Sequence, residues 1–131
     1  MSERGTCFVL FPDDPGVTPA QIFDALGLTG LHVEPERGCW RVRWRSGPVI
    51  DVVLVREPHV REETLEIAEL FADDAARAAL ERCDARIELS FDLEAALDES
   101  NTLIEVQAAM QKLTGGYLFN LWNQRLTPPD A

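Results

Sequence analysis

The chain has too few cysteines, too widely spaced, to be held together covalently. Cys7, Cys39 and Cys83 are odd in number and form no C-x-x-C pair, so neither a disulfide framework nor a zinc knuckle is expected. Each lies in apolar surroundings, and a buried packing thiol is the default reading. Long apolar runs are missing too. Met1-Ser-Glu-Arg-Gly has none behind it, and the most apolar later segment, residues 49–55, is interrupted by Asp51. Neither a signal peptide nor a membrane span is expected, and the sequence reads as cytoplasmic. Positive charge is scarce: 12 basic residues face 23 acidic ones, for a net charge of −11. Phosphates would be repelled before any local contact formed, which opposes general binding to nucleic acid or anionic membrane. Only one basic residue is a lysine, an arginine bias that points to a GC-rich bacterial genome rather than to a function. No internal repeat or low-complexity segment is visible.

What is present suits a single α+β domain over residues 1–131, with 127–131 as a flexible tail. Apolar residues make up 46% of the chain and charged ones 27%, proportions that fit an ordinary water-soluble core and surface. The charge is unevenly distributed. Residues 37–61 hold six arginines against Asp51 and Glu57, whereas residues 62–105 hold fourteen acids against Arg77, Arg82 and Arg86.

Hydrophobic spacing divides the chain into elements. Residues 6–11 are apolar at every second position on both faces, as in an inner strand. Pro12 to Gly16 end it as a turn. Thr18, Pro19 and Gln21 combine a capping box with a first-turn proline, so a helix starts there and stops near Gly27. In residues 39–45, Trp40, Val42 and Trp44 alternate with Arg41, Arg43 and Arg45, which predicts a strand dry on one face and wet on the other. Ser46-Gly47-Pro48 would return it into 49–55 with Arg43 opposite Asp51, leaving Val49, Val53 and Val55 among the arginines.

Leu65, Ala68 and Phe71 then recur at helical spacing over 62–71, and Asp73 caps a second short helix. Ala85, Ile87, Leu89 and Phe91 alternate with Arg86, Glu88 and Ser90 as a half-buried strand. Asp92 caps a helical region reaching Thr114, with a break near Ser100-Asn101, and Gly115-Gly116 end it. Tyr117 to Trp122 read as a returning core strand, with Tyr117, Phe119 and Leu121 on one face and Leu118, Asn120 and Trp122 on the other. The first six elements resemble, in order alone, the split β-α-β motif of ferredoxin-like domains. That resemblance implies a mainly antiparallel sheet with helices on one face, extended here by a C-terminal helix and strand.

Local motifs for chemistry are weak. His59 and Glu63 stand four apart, but a metal site needs a third ligand, and no second histidine lies nearby. Cys39 and His32 lack an orienting third group. Gly27-Leu-Thr-Gly30 follows a helix instead of preceding one and lacks the lysine of a phosphate loop. Asp13-Asp14, Asp73-Asp74 and Asp98-Glu99 suit turns and caps. No catalytic residue, cofactor or metal is assigned.

Two charged groups remain. Arg41, Arg43 and Arg45 share a strand face, spaced about 7 Å apart from the strand rise, either neutralised by acids or forming an anion-binding or self-association surface. Glu62, Glu63, Glu66, Glu69, Asp73 and Asp74 form an acidic patch suited to a basic protein partner. The expectation is a non-enzymatic bacterial binding protein of immunity or regulatory type, with a homodimer as an option. The alternatives are a small-molecule pocket between Trp40, Trp44 and the helices, and an enzyme whose site assembles from distant residues.

Overall fold

A computed structural model describes residues 3–14 and 16–129 of the chain. The elements run β1 (Arg4–Phe11), α1 (Pro19–Gly27), β2 (His32–Glu36), β3 (Cys39–Arg43), β4 (Ile50–Val55), α2 (Pro58–Phe71), α3 (Asp74–Leu80), β5 (Ala85–Asp92), α4 (Leu93–Asp98), α5 (Ser100–Thr114), β6 (Tyr117–Asn120) and β7 (Arg125–Thr127). The fold is α+β, with five helices and one seven-stranded sheet among the described residues. The strand order is β2-β3-β4-β5-β1-β6-β7, and every neighbouring pair is antiparallel. Strands β5 and β6 therefore run parallel to each other on either side of β1, and α4 and α5 carry the chain between them.

Strand β1 dictates the layering. Cys7, Val9 and Phe11 join one buried cluster with Ile22 and Leu26 of α1 and with Leu103, Val106 and Met110 of α5. Phe8 and Leu10, pointing the opposite way, join a second cluster with Ile67, Ala68, Leu80 and Phe119. The expectation of helices on one face is thus corrected. Helices α1, α4 and α5 cover one face, while α2 and α3 cover part of the other. An inner strand apolar on both sides must be dried from both sides, because either exposed face would leave large side chains in water.

Most local signals act as the sequence leads one to expect. Thr18 accepts from the Gln21 amide while the Gln21 side chain returns to the Thr18 amide, a complete capping box. Asp73 and Asp92 accept from the amides of Ala76 and Ala95. Glu99, at φ −124° and ψ 82°, separates α4 from α5. Gly115 closes α5 in the left-handed region at φ 66°. At Gly116 a side chain would come within 2.5 Å of the Leu10 carbonyl oxygen, so the second glycine lets β6 approach β1.

Three details differ. The β3–β4 register sets Arg41, not Arg43, opposite Asp51, with Trp40 opposite Val52 and Val42 opposite Ile50. The Gly47 amide donates to the Trp44 carbonyl and Arg45 is left-handed at φ 54°, so the reversal begins at Trp44. A shift of two residues keeps each side chain on its expected face. Trp44 leaves the strand, however, and is 47% exposed. Edge strands β2 and β7 were not expected at all. Thr127, placed at the head of a tail, pairs with Leu118 in β7; tail residues 130 and 131 lie outside the described residues, as do the first two residues and Pro15 of the 12–16 turn.

Candidate functional site

Helix α2 buries Val60, Thr64, Ile67 and Ala68, positions that fall on one side at 3.6 residues per turn. Glu62, Glu66 and Glu69 occupy the opposite side and are exposed, as are Asp73 and Asp74 beyond the helix end. Among the described residues, no ion pair takes up Glu62, Glu66, Glu69 or Asp74. Leu65 and Leu70, 38% and 71% exposed, belong to the same outer surface. The face is therefore acidic with two leucines in it, carried on a helix fixed to the sheet.

Glu63 does not belong to that face. Its Oε1 accepts from Arg86 Nη1 at 2.7 Å, across from β5. Arg86 Nε and Nη2 both reach Glu88 Oε2 at 2.7 Å, and its guanidinium carbon stands 3.8 Å from the Phe8 ring centroid. The Arg86 side chain is only 5% exposed. Read from the sequence, Arg86 was a solvent-facing member of an alternating strand, and the structure corrects this because α2 folds over it. The available signal was the apolar second face of residues 6–11, which required some cover for the neighbouring strand's polar side. The guanidinium is buried while Glu63 and Glu88 stay partly exposed, and the pairing ties α2 to β5.

The arginine row is broken up. Arg41 Nε lies 3.4 Å from both Glu36 and Asp51, and Arg4 reaches the other oxygen of Asp51. Asp51 Oδ1 is buried and meets Arg41 within ion-pair range but without a hydrogen-bonding angle. Arg43 sits opposite His32 on the edge strand. Arg45 has left the strand and lies over the Trp44 ring, 5.1 Å from its centroid. Arg45 thus leaves the face that Arg41 and Arg43 share on β3. Val53 and Val55 are half-buried beside Glu88 and Arg86, and only Val49 stays exposed.

The remaining candidates also disperse. His59 pairs with Glu57 while Glu63 turns to Arg86, and among the described residues no group of three His, Cys, Asp or Glu is placed to hold a metal. His32 and Cys39 fall at opposite ends of the β2–β3 hairpin. Burial pushes the Cys7 thiol up to about 12, against a weaker lowering by its hydrogen bond from Gln107. Burial likewise raises Cys83 to about 11, with Asp84 adding to it and Arg82 opposing. Cys39 is held above its ordinary value by desolvation first and then by Glu36 and Asp51. None of the three is a ready thiolate at neutral pH.

Trp40 is buried in the core. Trp44 borders an open cleft of about 210 Å³ with Leu31, Glu99, Asn101, Thr102 and Glu105. A larger open groove, about 550 Å³, runs between α1 and α5 along Ala25, Leu28, Ala108, Ala109 and Leu113. Among the described residues, no helix is long and apolar enough to cross a membrane. No protein-family model matches the chain, and comparison with curated proteins and with solved structures finds no match either.

Proposed function

We propose that this is a non-enzymatic, bacterial cytosolic binding protein whose outer α2–α3 surface takes a basic protein, in an immunity-type or regulatory role. The observation that carries the reading is the exposed set Glu62, Glu66, Glu69 and Asp74 around Leu65 and Leu70, none of the four in an ion pair among the described residues. Uncompensated carboxylates speed encounter with a cationic surface and select its register, and exposed leucines supply apolar anchors once water is expelled. Glu63 is not among the contacts, being committed to Arg86. The four inner strands, in the order β6-β1-β5-β4 with α1 and α5 as crossovers, support reading the scaffold as a ferredoxin-like core extended at both edges.

The test is to capture cationic proteins from a lysate on the immobilised chain and to titrate the one that binds, at several salt concentrations. Glu62→Lys with Glu66→Lys is expected to weaken binding at least about tenfold, since each reversal removes an attraction and adds a repulsion. An affinity unchanged by the pair, or insensitive to salt, would overturn the reading.

A further inference from the structure

The opposite side of the molecule carries a surface with a different logic. The groove between α1 and α5 is bordered along α5 by Glu105, Ala108, Ala109 and Lys112. Glu105 and Lys112 are exposed, and neither makes an ion pair among the described residues. They are seven residues apart, two turns, so they project from the same side of the helix. Lys112 is the only lysine in the sequence. Beside them, Leu28 at the end of α1 is 89% exposed, an unusual position for a leucine facing a groove that is mostly hydrocarbon.

We infer that this groove is the seat of a second copy of the chain, joined by antiparallel packing of α5 on α5 about a twofold axis at Ala108–Ala109. The argument is one of self-complementarity. A twofold interface requires that if residue i meets residue j, then j meets i. With the axis between Ala108 and Ala109, Glu105 lies about 5 Å to one side along the helix and Lys112 about 5 Å to the other, at 1.5 Å per residue. Each Glu105 therefore faces the partner copy's Lys112, twice over, and no like charges meet on this line. Alanines at the crossing point let the helix axes approach closely, toward the 8 Å end of the usual range of about 8–10 Å. Leu28 is covered in the same step. A parallel arrangement would instead oppose Glu105 to Glu105, and docking of the groove onto the Arg41–Arg43 strand of another copy would leave an open-ended chain.

Light scattering during size exclusion, over a wide range of loading concentrations, is expected to show a species of twice 14.7 kDa in equilibrium with the monomer. Glu105→Lys and Lys112→Glu, each at an exposed position, are expected to raise the dimer dissociation constant at least about tenfold. The double variant restores opposite charges across the axis and is expected to return it to within about threefold of the wild type. Zero-length carbodiimide coupling should give a dimer whose bridging amide joins Lys112 to Glu105 of the partner copy. A monomer at every concentration, an assembly that keeps growing, single variants that dimerise as well as the wild type, or a double variant that fails to recover would each overturn the inference. Glu62→Lys with Glu66→Lys lies on the other face and should leave the dimer intact, so failure here is distinguishable from failure of the proposed partner surface.

Discussion

The two faces of the sheet solve the same problem in different ways. On the α1–α5 side the seal is hydrocarbon: Ile22, Leu26, Leu103, Val106 and Met110 meet Val9, Phe11, Ile87 and Leu89, nearly all without exposed surface. On the α2–α3 side the apolar cluster is smaller, and a buried guanidinium stands next to it, satisfied by Glu63, Glu88 and the Phe8 ring. The first arrangement tolerates volume-conserving change, because its attraction has no direction. The second does not, because a charge stripped of one partner stays in a dry place.

Substitutions at Arg86 break this contrast most sharply. Stripping the buried guanidinium of its carboxylates with Glu63→Gln and Glu88→Gln should cost about 3–5 kcal/mol in denaturant unfolding, while adding Arg86→Met to that pair should recover most of it. On the other face, Met110→Ala should cost about 2–5 kcal/mol and Met110→Leu less than about 1.5 kcal/mol. If Arg86→Met alone proved as mild as Met110→Leu, the buried ion pairs would not be what holds α2.

A smaller effect compares the faces through their thiols, since Cys7 belongs to one cluster and Cys83 to the other. Both are raised from about 9, to about 12 and about 11 respectively. In the window above pH 9 the folded protein keeps a proton that the unfolded chain loses, so stability is fully present below pH 9 and declines as pH rises. Each thiol contributes a slope of about 1.4 kcal/mol per pH unit. Unfolding followed from pH 8 to 11 should fall less steeply in Cys7→Ala or Cys83→Ala than in the wild type. An identical slope would mean that burial does not suppress these thiolates.

The smallest change is at the edge of the acidic face. Asp73→Ala removes the acceptor for the Ala76 amide and should cost about 1 kcal/mol, seen as a modest loss of thermal stability. Asp74→Ala, which removes no such acceptor, should cost less than about 0.5 kcal/mol.

Much of this architecture was legible along the chain because its causes are local. Thr18 with Gln21, Asp73, Asp92 and Gly115 set helix ends through groups within a few residues of one another. Period-two spacing in β3 and β5 named the dry side of each strand. The edge strands were not legible. His32–Glu36 alternates polar residues and contains a proline, and Arg125–Thr127 is three residues long, so neither carries a hydrophobic period; each is a strand only because a neighbour offers it hydrogen bonds. The β3–β4 register was similarly hidden, since the turn at Trp44 depends on a left-handed Arg45 that no composition rule favours.

The same division holds for the candidate surfaces. Sequence by itself determined that Glu62, Glu66 and Glu69 belong to one helical segment and recur at helical spacing, because helical periodicity is fixed by backbone geometry. Only the tertiary structure decided which acids remain in water. Glu63 has the same chemistry as Glu62, yet it faces Arg86 and its neighbour does not, and that outcome rests on where α2 lies across β5. Likewise Trp40 and Trp44 alternate identically along the chain, but only Trp40 is dried by the helices opposite it. Burial depends on what is brought near from elsewhere in the chain, and that is a property of the assembled layers rather than of any segment.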